Sequence, residues 1–169
     1  MARNIEIKAR LSQRSELEDR IVSIADSGPI VLKQVDQFFR VPEGRLKLRQ
    51  INDEHAELIF YRRSDSAGPK TSDYSRVPIV HPDQLSQLLG SALEPLGIVK
   101  KTRTLYLVGQ TRIHLDDVED LGSYLELEVV LESSQTEAEG QAIAHQLMEK
   151  LAIDAKDLVV GAYVDHLAK

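Results

Sequence analysis

The sequence contains no cysteine. Disulfide bonds and thiolate metal sites are therefore excluded, and a reducing compartment is the simplest expectation. Tryptophan is also absent, and aromatic residues make up only 5% of the 169 residues, so a core must be built from Leu, Ile and Val. No stretch approaches the roughly 20 apolar residues of a membrane span. Residues 1–11 (MARNIEIKARL) carry charge from the start and lack the apolar run of a signal peptide. A cytoplasmic location without a membrane partner is expected. Positive charge is not in excess either: the formal net charge is -6, which argues against nucleic acid as a partner. Neither a Walker-type phosphate loop nor GxGxxG nor HExxH occurs. The histidines (His55, His81, His114, His145, His166) show no metal-ligand spacing, and no serine has a nucleophile-elbow context.

What is present is a patterned chain that fits one domain over residues 1–169, with 42% apolar residues to build its core. Residues 4–11 alternate apolar with charged and read as a strand. Residues 12–24 read as a helix, with Ser15 and Glu18 at capping-box spacing and an apolar stripe of Leu17, Ile21 and Ile24. Ser27-Gly28-Pro29 should break the chain. Residues 35–41, 45–51 and 56–63 read as strands, and 64–74 as a Gly/Pro/Ser loop that carries Lys70. A short strand at 76–80 precedes a helix begun by Pro82. Strands follow at 98–108, 111–115 and 124–131. A helix opens with the capping pair Thr136 and Glu139, and residues 157–169 form a tail. About eight strands arranged in hairpins, with three main helices, imply an α+β fold with a largely antiparallel sheet.

The charges follow the strand period. A charged strand face ordinarily meets water. Here almost every strand has one: Glu6, Lys8 and Arg10; Arg45, Lys47 and Arg49; Lys101 and Arg103; Arg112, His114 and Asp116; Tyr124, Glu126 and Glu128. If these faces meet, they line a barrel. An interior holding both signs needs compensation, because unpaired buried charge is costly. A polyphosphate with divalent cations supplies it: Lys and Arg take phosphate oxygens, and carboxylates take Mg²⁺ or Mn²⁺. An empty tunnel crowded with Lys and Arg should repel itself. Asp117, Glu119 and Asp120 form an acid-rich turn best read as solvated, and His145 as a helix-surface residue.

The ordered series Asn4-Ile5-Glu6-Ile7-Lys8, LKLR (46–49), KKTR (100–103), HLDDVEDLGSYLELE (114–128) and GAYVDHL (161–167) resembles the CYTH family, the triphosphate tunnel metalloenzymes, which includes class IV adenylyl cyclases, thiamine triphosphatases and tripolyphosphatases. The family's ExExK signature stands here with Asn4 in place of its first Glu. The resemblance implies an eight-stranded antiparallel barrel forming a tunnel with helices packed outside. It implies a Mg²⁺ or Mn²⁺ cofactor held by Glu6, Glu126, Glu128 and Asp116. Lys8, Arg49, Lys101 and Arg103 are the implied catalytic phosphate-holding bases. Arg45, Lys47, Arg63, Lys70, Arg112 and His114 are expected around the substrate. The expected partner is a small triphosphate (ATP, tripolyphosphate or thiamine triphosphate), and a homodimer is compatible with the pattern. The implied activity is that of a class IV-like adenylyl cyclase, with a triphosphate phosphohydrolase or a non-catalytic nucleotide or polyphosphate binder as alternatives. Asn4 removes one negative charge, so a two-metal site could become a one-metal site.

Overall fold

The computed structural model describes residues 1–168. Its elements run β1 (Ala2–Arg10), α1 (Arg14–Ile24), β2 (Ser27–Phe39), β3 (Arg45–Ile51), β4 (His55–Arg63), β5 (Lys70–Pro78), α2 (Pro82–Ala92), β6 (Pro95–Val108), β7 (Thr111–Val118), β8 (Gly122–Val130), α3 (Glu137–Lys150) and α4 (Tyr163–Leu167), with a short 3₁₀ turn at Ala155–Asp157. The strands close into a barrel in the order β1-β5-β4-β3-β2-β6-β7-β8, and β8 pairs back to β1. Every pairing is antiparallel.

The strand period of two decides which residues face where. On β1, Ile5, Ile7 and Ala9 point outward and are fully buried beneath the helices, while Asn4, Glu6 and Lys8 face the lumen. The main core therefore lies outside the barrel wall. There Leu17 and Ile21 of α1 and Leu147 of α3 meet Ile7, Ile113, Leu115, Leu125 and Leu127. Helix α3 starts on the expected capping box: Glu139 N donates to Thr136 Oγ1 (3.2 Å), and Thr136 N donates to Glu139 Oε2 (2.7 Å). It lies so close to β1 that a Cβ on Gly140 would stand 2.6 Å from Ile5 Cγ1. Helix α2 has no buried residue and covers its side of the barrel loosely. Among the described residues no helix is long and apolar enough to cross a membrane.

Three local expectations are corrected. Ser15 and Glu18 form no cap: α1 starts at Arg14 with Gln13 at its N-cap, and Glu18 instead accepts from Arg14 (2.6 Å) and from the Tyr106 hydroxyl (2.8 Å). Ser27-Gly28-Pro29 does not end the chain's regular structure. It lies inside β2 as a bulge, where the pairing with β6 shifts between Ser27 and Ile30. Gly28 has φ 108°, and a Cβ there would stand 2.6 Å from the Leu105 carbonyl oxygen, so the bulge requires glycine. Residues 70–74, expected in a loop, begin β5, held on one side by β1 and on the other by β4. The tail beyond residue 157 ends in α4, which seats Tyr163 against the barrel.

Candidate active site in the barrel lumen

The lumen holds a cavity of about 250 Å³ walled by all eight strands. Lys8, Lys47, Arg49, Arg63, Arg76, Lys101, Arg103 and Arg112 supply its bases, and Glu6, Asp36, Glu57, Glu126 and Glu128 its acids. These groups lie together because each strand contributes its alternate residues to one face.

The bases are not left to repel one another. Asp36 of β2, 1% exposed, takes Arg49 in a two-point contact (Nε to Oδ1 and Nη2 to Oδ2, both 2.7 Å), with Lys47 at 3.2 Å and Lys101 at 3.4 Å. Burial works to raise the Asp36 carboxyl, but Arg49, Lys101 and Lys47 outweigh it and hold it well below the usual range. Asp116 of β7 plays the same part for Arg103, again with two contacts of 2.7 Å, and also accepts from the Tyr163 hydroxyl at 2.8 Å. Arg63 donates to Glu6 (2.8 Å) and Lys8 faces Glu126 (3.5 Å). Burial dominates the lysines: it pushes Lys101 down to about 7 despite Asp36, with Arg103 and Arg49 adding to the fall. Lys47 is pushed to about 8 by burial and the Arg49 charge, against the pull of Asp36. The Glu6 carboxyl is raised, by burial first and then by Glu128 and Glu126.

Among the described residues one group can hold a cation. Ligand atoms of His114, Glu126 and Glu128 lie within 4.8 Å of one another. The His114 Nδ1 is buried without a hydrogen-bond partner, 3.6 Å from Glu126 Oε1 and 3.8 Å from Glu128 Oε1. Two carboxylates suit a hard divalent ion such as Mg²⁺ or Mn²⁺. The residues present therefore fit the group.

Helix α4 closes one end of the tunnel. The Tyr163 ring lies under the Lys8 ammonium (3.9 Å to its centroid), and its edge meets Tyr124 at 5.1 Å between ring centres. Phe38, Val99 and Val118 pack beneath it. Arg63 of the cavity wall donates to the Gly161 carbonyl (2.8 Å), and Arg45, which is not part of that wall, pairs with Asp165, so two arginines hold the plug in place.

The sequence model of the CYTH domain matches residues 2–163. The chain belongs to the CYTH family. Solved structures share the fold of this CYTH chain along nearly its whole length. A Pyrococcus horikoshii protein matches at TM-score 0.85 and 23% identity, over 96% of this chain and 98% of that one. A Vibrio parahaemolyticus protein named as a candidate adenylate cyclase matches at 0.82 and 18%, over 98% of each. A Hippeastrum protein, named as a candidate adenylyl cyclase and described as having a dominant triphosphatase activity, matches at 0.66 and 15%, over 96% and 91%. No curated protein matches the chain.

Within the CYTH tunnel, Glu6, Lys8, Lys47, Arg49, Arg63, Lys101, Arg103, Arg112, His114, Glu126 and Glu128 all line the cavity. Two residues expected around the substrate, Arg45 and Lys70, and one expected at the metal, Asp116, are not part of the cavity wall. Arg45 reaches Asp65 and Asp165 outside the cavity wall. Lys70 is buried and donates to the Ser66 carbonyl (2.8 Å). Asp116 is stacked behind Arg103 rather than among the cation-capable group. Asp117, Glu119, Asp120 and His145 are exposed, as expected. Asp36 and Tyr163 join the site without being among the residues the sequence pattern picks out. Asp36 left a signal, an acid inside a predicted strand where Asp is disfavoured. Tyr163 left only its place in GAYVDHL.

Proposed function

We propose that this protein is a divalent-metal-dependent enzyme that binds a triphosphate in its tunnel and breaks a bond at phosphorus. The observation that carries this reading is the set of buried bases facing a closed-ended cavity whose wall also holds His114, Glu126 and Glu128. Fully desolvated Lys and Arg gain most from a polyanion, since charge-assisted hydrogen bonds are strongest where water is excluded. Arg49 and Arg103 are oriented by Asp36 and Asp116, so their outer N–H groups are aimed before substrate arrives. Bound at Glu126 and Glu128, Mg²⁺ or Mn²⁺ would neutralise phosphate charge that develops as the bond breaks.

The first reading of the reaction is cyclisation: the ribose 3'-hydroxyl of ATP bonds to the α-phosphorus, its proton passes to a base, and pyrophosphate leaves. The second, favoured by the description of the Hippeastrum relative, is attack of water on the terminal phosphorus: its proton passes to a base, the bond to the bridging oxygen breaks, and orthophosphate and the diphosphate portion leave. Incubation with ATP or tripolyphosphate and Mg²⁺ or Mn²⁺, followed by assay of cyclic AMP, pyrophosphate and orthophosphate, separates them. Binding without any product would leave a polyphosphate binder and overturn the enzymatic reading. Absence of binding would overturn it altogether.

A further inference from the structure

Glu6, Glu126 and Glu128 are each matched to a base, and the matches are unequal. Glu6 is met by Arg63 (2.8 Å), Glu126 by Lys8 and Arg103 (3.5 Å each), and Glu128 by Arg112 (2.9 Å). Arg49 and Arg103 hold their aspartates at two points. Arg63 is tied down a second time by the Gly161 carbonyl. Arg112 has neither anchor. It meets Glu128 through Nη2 alone, and its Nε is buried without a hydrogen-bond partner.

The strand register puts Arg112 in that place. It stands directly opposite Glu128 across β7 and β8, as His114 stands opposite Glu126. It lies toward the end of the tunnel away from α4, because Val118 of the same strand packs with the plug and is about 20 Å further along. Its side chain is 25% exposed, against 5% for Arg63 and Arg103. An ion entering from that end therefore meets Arg112 before it meets the group of His114, Glu126 and Glu128. A divalent ion on Glu128 has to take the carboxylate from the guanidinium or sit beside a like charge, and both cost affinity. Tyr74 of β5 also neighbours the guanidinium and offers it a second acceptor once it leaves Glu128.

We propose that Arg112 is the resident cation of the empty metal site: it neutralises Glu128 until a divalent ion displaces it, and so lowers the affinity of the site for that ion. This rests on the metal part of the reading above and adds to it a competitor carried by the chain itself.

The test is Mn²⁺ titration of the full chain, without phosphate, followed by electron paramagnetic resonance. Arg112→Gln keeps a polar side chain and loses the charge. It should bind Mn²⁺ about tenfold more tightly than the natural protein, the size expected for losing one charge-assisted, partly exposed contact as competitor. Arg112→Lys keeps the charge and should stay within about threefold of the natural protein. The melting temperature of metal-free Arg112→Gln should fall, and Mn²⁺ should restore it. If Arg112 instead orients Glu128 for the ion, Arg112→Gln binds Mn²⁺ more weakly. That result, or an unchanged affinity, would overturn the proposal and leave the metal site standing. Side-chain nitrogen NMR of the natural protein needs no variant. Mg²⁺ should shift the Arg112 Nε–H resonance and leave that of Arg49, tied to Asp36, in place; saturation with Mg²⁺ and no shift at Arg112 would equally overturn it. If Mn²⁺ binds neither the natural protein nor Arg112→Gln, the metal reading fails and the competitor falls with it.

Discussion

Arg49 is held on two sides by a carboxylate that its own strand does not supply, and this changes what removing it should do. The basic stripes alone imply that losing a positive charge relieves the empty tunnel. With Asp36 buried and bound at two points by Arg49, Arg49→Met should instead destabilise the ligand-free protein by about 3 kcal/mol, near the low end for breaking a buried pair because Lys47 and Lys101 still face Asp36. The same variant should weaken triphosphate binding by about 1.5–3 kcal/mol. Urea unfolding and calorimetry measure the two effects, and a more stable empty variant would show that Asp36 does not neutralise the stripe. Asn4 offers a second case. Its amide is 3% exposed with an unpartnered Oδ1, and neighbouring Glu6 is engaged by Arg63. The natural protein should therefore hold one Mn²⁺ tightly. Asn4→Glu adds a fourth acid to Glu6, Glu126 and Glu128, so its metal-free melting temperature should fall and recover with Mn²⁺, with a second ion visible by electron paramagnetic resonance. Two equally tight sites in the natural protein, unchanged in the variant, would contradict this.

Among the elements, those with strict alternation or a clean cap are legible in the sequence alone. β1, β3 and β8 show their charged face to the lumen because nothing but period two is needed to place it. Thr136 and Glu139 open α3 because the capping exchange is local. The departures lie where tertiary pairing overrides local signals. Gly28-Pro29 looks like a break, yet the long β2–β6 ribbon absorbs it through a bulge. Lys70 looks like a loop residue, but it opposes Glu6 across β1. The site is readable as stripes of charge; the pairing of stripes with Asp36 and Asp116 is not, because a carboxylate's partners lie on other strands. Helix α4 is the least legible element. It is short, and only its docking gives Tyr163 a role. Tyr163→Ala should remove a buried ring and open the tunnel's closed end, costing about 3–5 kcal/mol. Tyr163→Phe keeps the ring between Tyr124 and Lys8 and loses only the bond to Asp116, a cost of about 1–2 kcal/mol. Thermal unfolding of the pair separates plug from hydrogen bond; equal losses would mean that the ring itself contributes little.

At the scale of the whole molecule the tunnel couples protons to ligand and to folding. Lys101 near 7 and Lys47 near 8 have shed part of their protons in the empty protein, while in the unfolded chain both stay charged to about 10. Folded-state values below the unfolded ones mean that the unfolded chain binds more protons. Stability of the empty protein should therefore rise with pH between about 7 and 10. A triphosphate favours the charged lysines, so binding at pH 8 should take up protons and weaken as pH rises above 7. Calorimetry in buffers of differing ionisation enthalpy reads the uptake; zero uptake would place the lysines away from the phosphates. The closed ring of strands has a further consequence, for the time order of synthesis. β1 emerges first, yet its two neighbours are β5, whose paired residues begin at Lys70, and β8, whose paired residues end at Val130. Its edge toward β5 therefore stays open until residues 70–74 are made, and its edge toward β8 until residues 124–130 are, so the barrel cannot close through local contacts. An exposed strand in that state invites pairing with other chains. The Glu6, Lys8 and Arg10 side chains that later face the lumen or its rim would, in the meantime, guard β1 against such pairing, so the charges that make the site also keep the nascent strand soluble.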